Sequence, residues 1–450
     1  MVRIVDFVDE GLGHSSYLID LGDGSAAVVD PPRFPTAHEA LASREGLRLV
    51  WTADTHSHAD YVTGSPGLTA RLGATFLAPD ASQLASPHEA VTDNQPVDLG
   101  NGCRLVPVAT PGHTPDHHSY LLEHDGELIG LFSGGSLMVG AVGRTDLAGP
   151  ALAEPLAHQM FHSLHRFDEL PDDLAVYPTH GAGSFCSAPG SAERTTKLGR
   201  ERATNPLLSI SSEDEFVDRL LDGFGTFPSH FLRLPELNRR GPTPFDTIPT
   251  LDRLSVDTVA EHVADGALVV DVRPMAEFST GHLPGSLANT LRPVFASWIG
   301  WLTNPDRPLI FVLDDDQDRA DVVRQCLDVG HENLLGELDG GIDAWTAAGR
   351  PAATIGVVDA RNMAPTVIDV RQHNEYVTGH IPGAIGAELA VVADMPSPTG
   401  PVTVMCGHGE RAMTAASILN TKGGDSEISV FDGGPDTWST ATGVDLEVGP

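Results

Sequence analysis

The chain has 450 residues, 41% of them apolar and 20% charged, with a formal net charge of −35 at pH 7. That length exceeds what one hydrophobic core supports and predicts two or three globular domains, while so large an acidic excess argues against nucleic acid or an anionic membrane as partner. The N-terminus lacks a basic segment followed by an apolar run, and no stretch approaches the ~20 apolar residues of a membrane span, so a cytoplasmic protein is expected. Cys103, Cys186, Cys326 and Cys406 are scattered without a C-x-x-C pair, which predicts neither a disulfide framework nor a zinc knuckle.

In chain order, the first chemical signal follows an apolar run, Leu47 to Thr52: it is Thr55-His56-Ser57-His58-Ala59-Asp60. In extended backbone alternate residues share a side, so His56, His58 and Asp60 are expected to converge on one point as metal ligands. Ser65 and Pro66 read as the N-cap and first residue of a helix that stops at Gly73 and backs this loop. Leu105–Ala109, Leu128–Phe132 and Leu174–Tyr177 read as strands, each running into a loop: Thr110-Pro111-Gly112-His113, Ser133-Gly134-Gly135-Ser136 and Pro178-Thr179-His180. Loops at strand ends are where such scaffolds carry chemistry, so His113 and His180 join the ligand candidates. His14, His38, His117, His118 and His162 read as ordinary hydrogen-bonded histidines. Glu213 to Leu221 predicts a helix, and the Pro-rich stretch Pro235 to Phe245 a linker, which places the first domain at 1–245.

A repeat organises the remainder. Asp271-Val-Arg-Pro-Met-Ala-Glu277-Phe-Ser-Thr-Gly-His282 returns as Asp369-Val-Arg-Gln-His-Asn-Glu375-Tyr-Val-Thr-Gly-His380, and Asp339-Gly-Gly341 with Trp345 returns as Asp432-Gly-Gly434 with Trp438. Two tandem domains are expected, at 250–350 and 355–448, in which short apolar strands such as Leu268–Asp271 and Thr366–Asp369 alternate with helices around parallel sheets. In the second copy Cys406 follows a strand and opens a helix, a position where backbone N–H groups stabilise a thiolate. In the first copy Asp314 stands in its place, followed by Asp315 and Asp316; without a thiol in that loop, the copy is expected to serve as a spacer or docking domain.

Taken together, these motifs resemble the persulfide dioxygenases fused to rhodanese domains, a branch of the metallo-β-lactamase fold. The resemblance implies an α/β multidomain chain: a metallo-β-lactamase αββα sandwich followed by two rhodanese-like α/β domains. It implies Fe(II) held by His56, His113 and an aspartate after Phe-x-Gly, with His58, Asp60 and His180 as further ligand positions. Here Gly135 stands in the place of that aspartate and Tyr61 in that of a family histidine. Loss of the carboxylate removes a charge and a bond, predicting an impaired iron site that Gly135→Asp should refill. A zinc site of His56, His58 and His113 is the alternative ligation. Arg144 and Asp146 in Gly143-Arg-Thr-Asp-Leu147 are implied to orient a thiol substrate, and Cys186 to act as a secondary sulfur acceptor.

The four residues between Cys406 and Arg411 match sulfurtransferases, so Cys406 is implied as nucleophile with Arg411 beside it. The implied function is sulfane-sulfur metabolism and hydrogen sulfide detoxification, with a thiol persulfide (glutathione or a similar thiol) and thiosulfate as partners and a homo-oligomer as assembly. An active dioxygenase with altered iron ligation, a non-catalytic persulfide sensor or scaffold, and a zinc hydrolase resembling glyoxalase II stand as alternatives.

Overall fold

The computed structural model describes residues 1–181, 183–186, 193–423 and 426–450. The chain divides into one unit of Met1–Pro249 with Arg324–Gly330 and another of Thr250–Val323 with His331–Pro450. In the first unit, β1 (Arg3–Asp9), β2 (His14–Asp20), β3 (Ser25–Val29), β4 (Arg48–Ala53), β5 (Thr75–Pro79) and β6 (Glu89–Val91) lie side by side in chain order. The second sheet uses β7 (Val97–Gly100), β8 (Cys103–Ala109), β9 (His118–His124) and β10 (Glu127–Gly134). A short hairpin, β11 (Leu137–Met138) and β12 (Ala141–Val142), follows, and β13 (Ala175–Pro178) and β14 (Thr196–Lys197) complete the sheet in the order β14-β13-β10-β9-β8-β7.

Burial explains the layering. Tyr17, Ile19, Ala27, Val29 and Leu77 of the first sheet meet Leu105, Tyr120, Leu122 and Phe132 of the second in one core. The opposite face of the first sheet, Leu18, Ala26 and Val28, packs on Leu41 and Leu68 of helices Thr36–Glu45 and Ser65–Leu72. The outer face of the second sheet, Leu131 and Val176, packs on Met160, Phe161 and Leu164 of helix Pro150–His165 and on Phe216 and Leu220 of helix Glu213–Asp222. Strands covered on both faces carry continuous apolar runs rather than alternation. The result is the αββα sandwich.

Two local expectations need correction. Helix Ser65–Leu72 has Gly64, not Ser65, at its N-cap; a Cβ on Gly64 would fall 2.1 Å from the Pro32 carbonyl oxygen, and the Ser65 hydroxyl instead donates to Asp54 Oδ1 at 2.6 Å. The stretch expected as a linker contains helix Leu234–Arg240, with Pro235 in its first turn, where a missing N–H costs nothing.

In the second unit the two copies share a plan. β15 (Arg253–Leu254), β16 (Leu268–Asp271), β17 (Leu287–Ala288), β18 (Leu309–Val312) and β19 (Leu334–Leu338) form a parallel sheet ordered β15-β19-β18-β16-β17. β20 (Gly356–Val358), β21 (Thr366–Asp369), β22 (Ile385–Gly386), β23 (Val402–Met405) and β24 (Ile428–Phe431) repeat it as β20-β24-β23-β21-β22. Much of the repeated motif is scaffold. Asp271 and Asp369 end a central strand and pair at 2.7 Å with Arg273 and Arg371, and His282 and His380 stack at 3.9 Å on Phe278 and Tyr376. Among the described residues no helix is long and apolar enough to cross a membrane.

Candidate metal centre and thiol site

Four loops at strand ends meet in the first unit: those after β4, between β8 and β9, after β10, and after β13. The loop after β4 bends instead of running extended, so His56, His58 and Asp60 do not converge on one point. His56 groups with His113 and His180, their ligand atoms all within 4.8 Å of one another, whereas His58 and Asp60 form a second group with His180. His58 turns its Nε2 to Asp30 Oδ1 at 3.1 Å. Asp30 also accepts the Thr55 N–H at 2.7 Å and the hydroxyls of Thr55 and Thr179. These donors, against the opposing effect of burial, hold its carboxyl down at about 2. Tyr61 occupies the place of the family histidine as packing: its ring stacks on His58 at 4.4 Å, lies 3.9 Å from His14, and its hydroxyl donates to the Asp30 carbonyl. His58 is therefore committed away from His56 and His113, against the expectation of a zinc site built from those three.

The hydrogen bonds decide which nitrogens are free. Thr55 gives its hydroxyl proton to Asp30 Oδ2, so His56 Nδ1, 2.8 Å from Thr55 Oγ1, is the donor to that hydroxyl oxygen, and Nε2 keeps its lone pair. His113 Nδ1 lies 2.8 Å from the Arg144 carbonyl oxygen, an acceptor, which likewise leaves Nε2 unprotonated; that buried atom has no hydrogen-bond partner among the described residues. His180 has Nδ1 3.1 Å from Asp60 Oδ2 and Nε2 3.4 Å from His56 Nε2. Burial pushes His56 well below the ordinary histidine value and His113 down to about 3, keeping both as neutral imidazoles. Burial lowers His180 too, but Cys186 and Asp60 outweigh it and hold that ring well above the ordinary value. With a proton on His180 Nε2 the His180–His56 contact is a hydrogen bond in which His56 Nε2 accepts. By the closeness of their ligand atoms, His56, His113 and His180 could hold one divalent ion, with Asp60 beside the third imidazole at 3.1 Å.

Gly135 is a packing partner of this set. A Cβ built there falls 2.1 Å from His113 Cδ2, and one built on Gly143, across the ring, falls 2.8 Å from His113 Nδ1. The imidazole fills the volume that an aspartate side chain would need, so Gly135→Asp would displace His113 instead of refilling the site as the sequence suggests. The Gly135 N–H donates to His117 Nε2 at 2.9 Å, and His117 stacks on His56 at 4.9 Å. Sequence reasoning set His117 aside as ordinary; its place at the centre depends on contacts 18 residues apart, which no local signal carries.

Arg144 and Asp146 lie behind the histidines. The guanidinium is bidentate on Asp146, at 2.6 and 2.8 Å, donates to the carbonyls of Phe185 and Gly225, and lies 4.4 Å from the Phe227 ring centroid. Buried and engaged in this way, it clamps the segment that carries Cys186, whose carbonyl accepts the Arg144 N–H at 2.9 Å. Cys186 is buried among Ala59, Leu147 and Phe231; burial raises its pKa while the neighbouring His180 opposes. Asn238, in the helix read as linker, donates to the carbonyls of His58 and Tyr61 at 2.9 Å and accepts the Thr63 N–H at 3.0 Å. A cavity of about 350 Å³ includes Ser57 and Thr114, chain neighbours of His56 and His113, in its wall, with Leu147, Leu232 and Arg239.

In the second unit Cys406 follows β23 and precedes helix Glu410–Thr421. Gly409, with φ +89°, turns the chain into that helix and donates its N–H to Cys406 Sγ at 3.1 Å. Arg411 is bidentate on Glu375, at 2.6 and 2.8 Å. The corresponding loop of the first copy is closed on itself: Gln317 accepts the Asp314 N–H and donates to the Val272 carbonyl, and Arg319 turns to Glu337 at 3.0 Å and to the carbonyls of Asp314 and Gln317. Glu277, the counterpart of Glu375, meets Asp314 instead of an arginine, and that hydrogen bond raises its pKa. Cys326 and Cys103 are buried.

The rhodanese-like domain model matches residues 255–348 and 356–441. A hydroxyacylglutathione hydrolase of Acidiphilium cryptum is 34% identical over 209 residues, covering 43% of this chain and 85% of that protein. The mitochondrial persulfide dioxygenase ETHE1 of Homo sapiens is 30% identical over 205 residues, 45% of this chain and 74% of that protein. The crystal structure of a metallo-β-lactamase from Staphylococcus aureus aligns with a TM-score of 0.67 at 29% identity, covering 75% of this chain and 98% of that one. The chain therefore belongs to the metallo-β-lactamase-fold family that includes hydroxyacylglutathione hydrolase and persulfide dioxygenase, and it carries two rhodanese-like domains after that fold.

Proposed function

We propose that this is an enzyme of sulfane-sulfur metabolism in which Cys406 is the nucleophile of a rhodanese-type sulfurtransferase. The observation that carries this reading is the Gly409 N–H on Cys406 Sγ at 3.1 Å, at the N-terminus of a 12-residue helix. Cys406 so placed is the nucleophile that, as a thiolate, attacks a sulfane sulfur and holds it as a persulfide for an acceptor thiol. Arg411, braced by Glu375, shapes the loop around that sulfur.

For the first unit, the buried His113 Nε2, without a partner among the described residues, and the grouping of His56, His113 and His180 support an occupied metal centre over a vacant one, and we read its chemistry as persulfide oxidation with altered ligation. Leaving a buried nitrogen unpaired costs about 1–3 kcal/mol. Bound there, a divalent ion supplies Lewis acidity and open positions for sulfur and oxygen donors. The chain's own part is to present Nε2 of His56 and His113, to orient His180 through Asp60, and to admit a small thiol through the adjoining cavity. Ion pairing of Arg144 with Asp146 supports a clamping role for that pair rather than direct contact with the substrate thiol.

One preparation tests both sites. Thiosulfate or glutathione persulfide should leave cyanide-releasable sulfur on the protein, lost in Cys406→Ser and retained in Cys326→Ser; full transfer activity in Cys406→Ser rejects the assignment. Elemental analysis should find one iron or zinc per chain, and His180→Ala should lower that content about tenfold or more. Unchanged metal content in His180→Ala, or no oxygen uptake with glutathione persulfide by the iron-loaded protein, overturns the oxidation reading.

A further inference from the structure

Within the second unit the two rhodanese-like copies pack on each other. Ala288 and Trp298 of the first copy share one apolar core with Ala415, Ala416 and Leu419 of the second, and the Ala288 N–H, at the end of β17, donates to the Ser417 hydroxyl oxygen at 3.1 Å. Beside that seam lies a cavity of about 480 Å³, a size typical of small-molecule sites. Val269, Leu287, Trp301 and Leu302 of the first copy and Ala390 and Ile418 of the second line it. Trp301, in helix Phe295–Leu302, stacks on Trp298 at 5.3 Å. Ile418 and Thr421, which also line the cavity, stand about two to three turns along helix Glu410–Thr421 from its start. The cavity is therefore at the far end of that helix from Cys406.

The wall dictates what would bind. Its hydroxyls have their protons committed: Ser286 donates to the Leu283 carbonyl at 2.8 Å, Ser417 to the Thr414 carbonyl at 2.7 Å and Thr421 to the Ile418 carbonyl at 2.7 Å. Apart from the Trp301 indole, the only wall side chain among the described residues with donors to spare is Arg307. Its Nε donates to the Gly266 carbonyl at 2.9 Å, which holds the guanidinium beside Ala267 of the rim, and its two terminal nitrogens have no hydrogen-bond partner among the described residues. No carboxylate lines the cavity, in a chain that carries 62 Asp and Glu against 27 Lys and Arg; Asp265 and Asp306 are near in sequence but lie outside the wall. A polar body inside would find its donors and acceptors poorly matched, whereas an apolar one gives up nothing. At the rim, a carboxylate meets a guanidinium fork able to hold it through two hydrogen bonds.

We propose that this cavity is a binding site for a small amphipathic monoanion, an apolar chain ended by one carboxylate, with the chain against Trp301, Leu302 and Ile418 and the carboxylate on Arg307. The site is separate from Cys406 and from the histidine centre, and it does not depend on the chemistry read at either. Because its walls come from both copies, a bound molecule braces the seam between them and adds its binding free energy to their pairing.

The test uses the full chain and three probes of equal chain length, octanoate, octan-1-ol and octylamine, each followed by titration calorimetry. Octanoate should bind about tenfold more tightly than octan-1-ol, and octylamine more weakly than either. Arg307→Gln should abolish the advantage of octanoate and leave octan-1-ol unchanged. Ala393→Trp, which places an indole at another lining position, should weaken octanoate and octan-1-ol alike, by about tenfold or more. Both substituted residues are exposed, so neither change disturbs a core, and the ranking of the three probes on the wild type needs neither variant. Absence of octanoate binding to the wild type overturns the proposal, as do equal affinities for octanoate and octylamine. So does octanoate binding that is unchanged in either variant.

Discussion

At Gly135 and at Asp314 the chain lacks the residue that its resemblance implies, and the surroundings of the two positions differ in kind. Around Gly135 the His113 ring fills the side-chain volume, and its Nε2 is buried without a partner among the described residues. Around Asp314 little is left waiting: Gln317 satisfies the backbone, and Arg319 is turned to Glu337. The first place has lost one ligand and kept a set of nitrogens aimed at a common point. The second has lost the nucleophile, and its arginine is folded back on Glu337 and on the carbonyls of its own loop. An absent catalytic residue is therefore weak evidence about function until the polar groups around it have been accounted for.

The comparison breaks most visibly at Gly135. Gly135→Asp should lower metal content about tenfold or more and destabilise the first unit by ~1–3 kcal/mol, because the new side chain overlaps His113; metal content that rises above wild type would show that the ring yields easily and that the two positions are alike. A smaller effect is expected from Asp314→Cys in a Cys406→Ser background: no cyanide-releasable sulfur above background, since Glu277, Asp315 and Asp316 oppose both thiolate formation and anion binding. Sulfur loading on that cysteine would mark the first copy as dormant rather than dismantled. The smallest effect belongs to Glu277→Gln. The Glu277 carboxyl, hydrogen-bonded to Asp314, titrates above its ordinary value, so its contribution is present in acid and is lost as pH rises through that raised value. The variant should therefore melt slightly higher than wild type near neutral pH and no higher in acid, as followed by thermal scans across that range.

The sandwich and the tandem sheets were legible because each is announced by short, ordered motifs: the strand before His113, the strand before His180, and the doubled run from Asp271 and Asp369. The partition of the histidines was not. Period-two spacing in His56-Ser57-His58-Ala59-Asp60 points to one shared centre, but the chain bends there, and Asp30, 28 residues away from His58 in sequence, captures that ring. Proline misled in the same way at Pro235: as a breaker it suggests a linker, but in the first turn of a helix it is tolerated, and only the tertiary contacts of Asn238 distinguish the two cases. Gly135 was read as a missing ligand, since a sequence shows an absent side chain without showing what occupies its volume.

Asn238 also sets an order of events during synthesis. Its side chain joins His58, Tyr61 and Thr63 across 175 to 180 residues of chain, so at ribosomal speeds the histidine loop is exposed for on the order of ten seconds or more before the residue that fixes its backbone has been made. Contacts of such long range form late in folding. Any ion that meets the nascent loop meets a flexible one, and discrimination between metals by geometry begins only when helix Leu234–Arg240 docks.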